Sequence, residues 1–188
     1  MKEAITNYLI EASTVLSQQA SNLSEIKTFD IDCSKLKEFL NEDIRDADDF
    51  KGLFKDLLSI NGPCVYWYQV IAPDISSKEI LESFTAYKNN PERNRAVPAI
   101  KSEMSIDDNS KYLYVGKVKR DFYGRVIQHL GCHKTAATQG LQLYYWAKEL
   151  KLQLKLSVIE FDSSMENLLP VIELAIAEKL KPLIGKHK

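Results

Sequence analysis

The chain has 188 residues, 45% hydrophobic and 27% charged, with a formal net charge of −1 at neutral pH. That balance is ordinary for one globular domain with a sizeable core and unlike a disordered or fibrous chain. No apolar run approaches the roughly 20 residues that span a bilayer, and the opening stretch MKEAITNYLIEASTVL has acidic residues and amphipathic spacing, unlike a signal peptide.

Residues 4–20 place Ile5, Leu9, Ala12 and Leu16 on one face, with Tyr8 and Val15 beside it, which predicts an amphipathic helix. Ser34 is positioned to cap a short helix through Leu40. The acidic run NEDIRDADD leads into FKGLFKDLL, whose Phe50, Leu53, Phe54, Leu57 and Leu58 form a second apolar stripe, ended by Gly62 and Pro63. Residues 1–61 therefore read as a helical N-terminal extension. PCVYWYQVIA (63–72) is β-branched and aromatic and predicts a strand. Ser76 and Glu79 make a capping-box pattern that opens a helix over KEILESFTAYK, and a polar loop with Arg93 and Arg95 follows. KYLYVGKV (111–118) predicts a second strand, antiparallel to the first, with a helix after it over 121–131. LQLYYWAKEL (141–150) reads as a helix. In 152–161, Leu152, Leu154, Leu156 and Val158 alternate inward as a half-buried strand. Ser163 or Ser164 can cap a last helix, whose Leu168, Leu169, Ile172, Ala175, Ile176 and Leu180 carry it to Pro182.

The small net charge hides an asymmetry. Residues 1–60 hold seven Lys and Arg against twelve Asp and Glu, whereas residues 111–156 hold nine against two. The last ten residues add Lys179, Lys181, Lys186 and Lys188 with no acid. A basic C-terminal half behind an acidic leader points to a polyanion partner for that half. Three widely spaced cysteines, Cys33, Cys64 and Cys132, fit a reducing cytoplasm better than a disulfide framework. Cys132 and His133 lie close to His129, but no second Cys/His pair completes a zinc set.

The segments PCVYWYQV, LYVGKVKRDFYGRVIQHL and ELAIAEKLKPLIGK together resemble the GIY-YIG nuclease superfamily, over about residues 62–185. Val65-Tyr66 stands at the Gly-Ile-Tyr motif. Tyr114-Val115-Gly116 matches Tyr-Ile-Gly, with the frequent Lys117 behind it. Arg125 and His129 fit the arginine of the next helix and the histidine or tyrosine one turn later. Glu173, nine positions before Pro182, fits the metal-ligand glutamate. Three features depart from the pattern. Tyr114 follows Tyr66 by 48 positions, Arg125 lies 11 after Tyr114, and Gly185 stands where many members carry asparagine.

The resemblance implies an α/β (α+β) fold, a small antiparallel three-stranded sheet flanked by helices, in a nuclease domain over 62–188 with an insertion at about 73–110. It implies metal-dependent hydrolysis of phosphodiester bonds in DNA, or RNA in its place, with Mg²⁺ or Mn²⁺ as cofactor. Glu173 would supply the metal's oxygen ligand, since a hard cation often leans on few protein carboxylates. Arg125 would present a planar, permanently charged fork to phosphate. Tyr66, Tyr114 and His129 would manage the proton. A phenol with pKa near 10 needs nearby positive charge to act as a base, and the roles of base and orienter stay open between Tyr66 and His129. Lys117, Lys119 and Arg120 are the candidate nucleic-acid contacts. Residues 1–61 are then left for self-association or a protein partner. The other reading is a protein that keeps the fold and binds nucleic acid or a partner without catalysis.

Overall fold

Four strands, β1 (Lys27–Asp32), β2 (Cys64–Val70), β3 (Tyr112–Val118) and β4 (Gln153–Glu160), make one antiparallel sheet in the order β1-β4-β2-β3. Five helices surround it: α1 (Lys2–Ser21), α2 (Lys51–Leu57), α3 (Ser77–Asn89), α4 (Phe122–Leu130) and α5 (Leu169–Leu180). The computed structural model describes residues 1–36, 43–72, 74–100, 110–132 and 138–185. The expected continuation of a helix from Ser34 to Leu40 and the position of His133 lie outside the described residues, as do Lys134, Lys186 and Lys188. No helix among the described residues is long and apolar enough to cross a membrane.

Side chains alternate along each strand, so the sheet has two apolar faces. Ile31, Tyr66, Tyr68, Leu154, Leu156 and Val158 point to the first face. There α2 packs through Phe54 and Leu57, α3 through Ile80 and Phe84, and α4 through Phe122, Val126 and Leu130. Val65, Trp67, Val115 and Ile159 point to the second face, where Leu169 and Ala177 of α5 and Val15 of α1 cover them. The capping box at α3 is present with both bonds, Ser76 accepting from the Glu79 N–H and Glu79 from the Ser76 N–H.

The sheet has four strands where three were expected. The extra one, β1, comes from the leader that reads as helical. Its sequence KTFDID offers only Phe29 and Ile31 as inward residues between two aspartates, a weak strand signal. What decides it is the free edge of β4, which pairs with β1 from Lys27–Val158 to Asp32–Gln153. Residues 141–150 also differ from expectation, with a single 3-10 turn at Leu143–Tyr145 in place of a helix. Gln142 takes a left-handed conformation (φ 57°), which breaks a helix at its first turn, and the Leu141 carbonyl that would accept from residue 145 is used elsewhere. The Leu141 N–H donates to His129 Nδ1, and the Leu141 carbonyl accepts from the Trp146 indole at 2.7 Å. The last helix starts late for a similar local reason. Ser163–Met165 forms a 3-10 turn, and Pro170, lacking an N–H, sits in the first turn of α5.

After α5 the chain doubles back over the outer edge of β3. Leu183 and Ile184 donate to the carbonyls of Tyr112 and Leu113, and Gly185 donates to Ala99. Gly185 has φ +105°, a region that L side chains rarely adopt, which explains a glycine where asparagine was the family expectation.

Ile31 is 1% exposed, so Ile31→Ala is expected to cost about 2–5 kcal/mol in a urea melt, as for any core aliphatic residue. A loss below about 0.5 kcal/mol would show β1 to be detachable from the core.

Candidate functional site

The site grows from a flaw in the sheet. Tyr68 pairs with Tyr114 but Gln69 pairs with Tyr112, so the register slips by one and Leu113 has no partner on β2. Such a bulge re-aims the side chains on either side of it. Leu113 and Tyr114 consequently both join the first face, with Tyr66 and Tyr68 of β2. Gly116 lies directly opposite Tyr66 in the register. A Cβ built there would stand 2.6 Å from the Tyr66 Oη and 2.6 Å from a ring carbon of Tyr114. The glycine of Tyr114-Val115-Gly116 is thus the room into which two phenols fit.

Helix α4 brings the other half. Asp121, in a left-handed conformation, caps it by accepting from the Gly124 N–H, and Gly131 (φ +95°) ends it. Arg125 and His129 are four residues apart and so share a face, and that face meets β2. Tyr66 Oη lies 2.8 Å from His129 Nε2 and accepts from Arg125 Nε at 3.0 Å. Arg125 also donates to Gln128 Oε1 and to the Gln139 carbonyl.

The proton positions follow from these contacts. His129 Nδ1 accepts from the Leu141 N–H at 3.1 Å, so it carries no proton. The ring's hydrogen is on Nε2, and Nε2–H donates to Tyr66. Burial, aided by the Arg125 charge, holds the His129 pKa well below 6.5, in keeping with a neutral ring. Tyr66 Oη therefore accepts two N–H donors, and its own O–H is directed to Tyr114, with which it is hydrogen-bonded. Tyr114 is also hydrogen-bonded to Arg125. It is the outer phenol of the pair, 9% exposed where Tyr66 is 0%.

Burial dominates the acidity of both phenols. It raises Tyr66 well above 10, with the neighbouring Tyr114 adding to the rise and Arg125 opposing it. Tyr114 is raised too, by burial and then by the Glu173 charge, against the pull of Arg125. The expectation that nearby cations lower a phenol toward neutrality is not met by the protein's own groups. Tyr68 completes the aromatic nest around His129, with ring centroids 5.3 Å apart, and its hydroxyl has no hydrogen-bond partner among the described residues.

Tyr66, Tyr114, Arg125 and His129 thus converge. Glu173 stands apart, on α5, and is ion-paired with Lys117. Lys117 lies opposite Val65 in the register and points with it to the second face, so this pair flanks β3 from the other side. The negative charge of Glu173 adds a minor push to the rise of the Tyr114 pKa, behind burial. Lys119 meets Asn167 and Glu166, and Arg120 meets Glu166, so the three expected nucleic-acid contacts all lie against α5 or the turn before it. Among the described residues no three His, Cys, Asp or Glu side chains gather as a metal cage. Sequence reasoning reads Tyr68 as a core or rim aromatic, and it is in the core; the bulge, Gln128 and the Gln139–Leu141 backbone it overlooked. No protein-family model, curated protein or solved structure matches this chain.

Gly116→Ala is expected to push the Tyr66 hydroxyl off its partners, at a cost of about 1–3 kcal/mol, and to move the His129 titration measured by NMR back toward 6.5. An unchanged His129 titration would count against this packing. Because folded His129 refuses a proton that the unfolded chain accepts, stability should fall as pH drops below 6.5, by up to about 1.4 kcal/mol per pH unit. Melting curves of wild type and His129→Gln between pH 7 and pH 5 check this: the variant should show the shallower decline.

Proposed function

We propose that the chain is a metal-dependent endonuclease, hydrolysing phosphodiester bonds in DNA with Tyr66, Tyr114, Arg125, His129 and Glu173 as its working set. The observation that carries this reading is the Tyr66 hydroxyl, buried and held between Arg125 and His129. A half-buried arginine set against a buried neutral histidine is a poor way to gain stability, since apolar residues of similar size serve as well or better. Perturbed titratable groups gathered in this way mark functional sites. The resemblance of the three segments to GIY-YIG nucleases supplies the reaction class.

In this reading each residue has a defined task. Arg125, its orientation set by Tyr66, Gln128 and Gln139, presents guanidinium donors to the scissile phosphate, where they stabilise the charge that grows in the transition state. His129 is a positioning residue. Both its nitrogens are engaged, so it holds Tyr66 and takes no proton from water. Tyr66 in turn donates to Tyr114 and would support a phenolate there. Tyr114, the outer phenol, would accept the proton as a phenolate, which has first to lose its own proton to solvent when a bound cation offsets the burial that raises its pKa.

A hard divalent cation of the Mg²⁺ or Mn²⁺ kind would take Glu173 as its single half-buried carboxylate, held on the second face across β3 from Tyr114, once Lys117 gives up its ion pair. Bound there, the cation would add Lewis-acid charge at the phosphate and the positive potential that Arg125 alone does not provide. Lys117, Lys119 and Arg120 would meet flanking phosphates once released from Glu173 and Glu166. One observation favours the non-catalytic alternative, a nucleic-acid-binding or interaction protein: Lys117 sits on the carboxylate that a metal needs.

Cleavage of supercoiled plasmid with Mg²⁺ or Mn²⁺ separates the two. Glu173→Ala should lose nicking altogether while DNA affinity changes by less than about threefold. Arg125→Ala should lower single-turnover cleavage at saturating DNA by about 10²–10³. Full activity in Glu173→Ala would sink the metal assignment. Salt-sensitive binding of DNA or RNA, with no cleavage by the wild type across varied substrates, would favour the binding protein.

A further inference from the structure

Helix α1 is the least supported element of the fold. Every residue from 1 to 11 is exposed, and the helix is anchored only near its C-terminal end. There Val15 packs on the second core, and the Gln19 Oε1 accepts from the Asp162 N–H at 2.9 Å. Isolated helical segments of fewer than about 12–15 residues are marginal in water. Of the twelve large hydrophobic side chains exposed among the described residues, eight lie within residues 1–26, a concentration unlike singly scattered surface apolarity.

This stretch continues into a groove of about 490 Å³ lined by Leu16, Ala20, Leu23, Trp67, Ile172 and Ile176, among others. Ile5, Leu9, Ala12, Leu16 and Ala20 recur at spacings of three and four and so form a single stripe. Its C-terminal half borders the groove, and its N-terminal half runs on beyond it.

We infer that this surface is a self-association interface, in which α1 of a second copy lies antiparallel along α1 and sets its N-terminal half in the groove. The chain presents an unfilled apolar groove and, on the same stripe, an unpartnered apolar helix end. One two-fold operation satisfies both, twice over. With the axis at Ala12–Ser13, two small residues let the backbones approach. Ile5 and Leu9 of each copy then meet Ala20 and Leu16 of the other, and Lys2 comes to Leu23–Glu25, where its charge faces the Glu25 carboxylate.

Other occupants fit less well. The groove's amide side chain, Gln19, is spent on Asp162 and Asn22, which leaves the Trp67 indole N–H, among the described lining residues, with no charged or acceptor side chain beside it to orient a small molecule. Helix α1 carries one lysine and two glutamates, without the basic face that an anionic bilayer selects. The acidity of residues 1–60 opposes nucleic acid. The inference does not depend on the catalytic reading.

Light scattering of the full chain over a wide concentration range tests it. A mass twice the 21.5 kDa of the chain is expected at high concentration. Leu9 is 61% exposed, so Leu9→Asp should keep the fold, checked by circular dichroism, while weakening the dimer on the order of 100-fold. Ala12→Cys should cross-link on oxidation, whereas Asn7→Cys, on the opposite side of the helix, should not, with the wild type as control for the native cysteines. A monomeric mass at every concentration overturns the inference, as does a dimer that Leu9→Asp leaves intact.

Discussion

The Tyr66 hydroxyl is the junction on which the candidate site depends. It receives one hydrogen bond from α4 through Arg125 and another through His129, and His129 is itself fixed by the backbone of Leu141. Three pieces of chain that are distant in sequence are therefore registered on one oxygen. Because Leu141 donates to Nδ1, only one tautomer of the ring satisfies every contact, and the direction of each hydrogen follows from it. A buried polar network whose members are all satisfied is rigid, while one left partly satisfied is costly. The arrangement holds Arg125 still while leaving Tyr114 toward the surface.

The sheet explains why the site lies where it does. β3 is an outer strand, and among the described residues its free side is covered by the returning segment Pro182–Gly185. A phenol on the first face and a carboxylate packed on the second lie on opposite sides of such an edge, and the carboxylate's charge adds only a minor push to the raised Tyr114 pKa. The bulge at Leu113 and the missing side chain at Gly116 make the turn of the phenols possible. The cations near this edge are matched with Glu166 and Glu173. Lys119 and Arg120 are more than half exposed, so their pairs are weak and screened by salt, and a phosphate competes with them at little cost.

The acidic leader divides into two parts with opposite fates. β1 is bound into the sheet along its own full length by β4, with Ile31 on the first face. α1 touches the body only at its end and exposes the apolar stripe that amphipathic spacing had marked for burial. An amphipathic pattern says that a face is to be covered; it does not say by which chain.

By itself the sequence determined what local periodicity and chemistry can carry. The alternation of β2, β3 and β4, the capping box at Ser76 and Glu79 and the helix carrying Arg125 and His129 were all legible, because each depends on neighbours within a few positions. The tertiary structure decided the rest. β1 became a strand because β4 offered an edge, against a sequence holding two inward apolar residues. Residues 141–150 lost their helix because Gln142 turned left-handed and the Trp146 indole took the Leu141 carbonyl. The tautomer of His129, the saturation of Tyr66 and the pairing of Glu173 with Lys117 depend on groups 56 or more positions apart, or on a backbone N–H that no side-chain motif encodes. Spacing along a chain reports which residues share a face. Which groups meet across faces is set only when the sheet closes, since burial then makes every unpaired polar atom expensive.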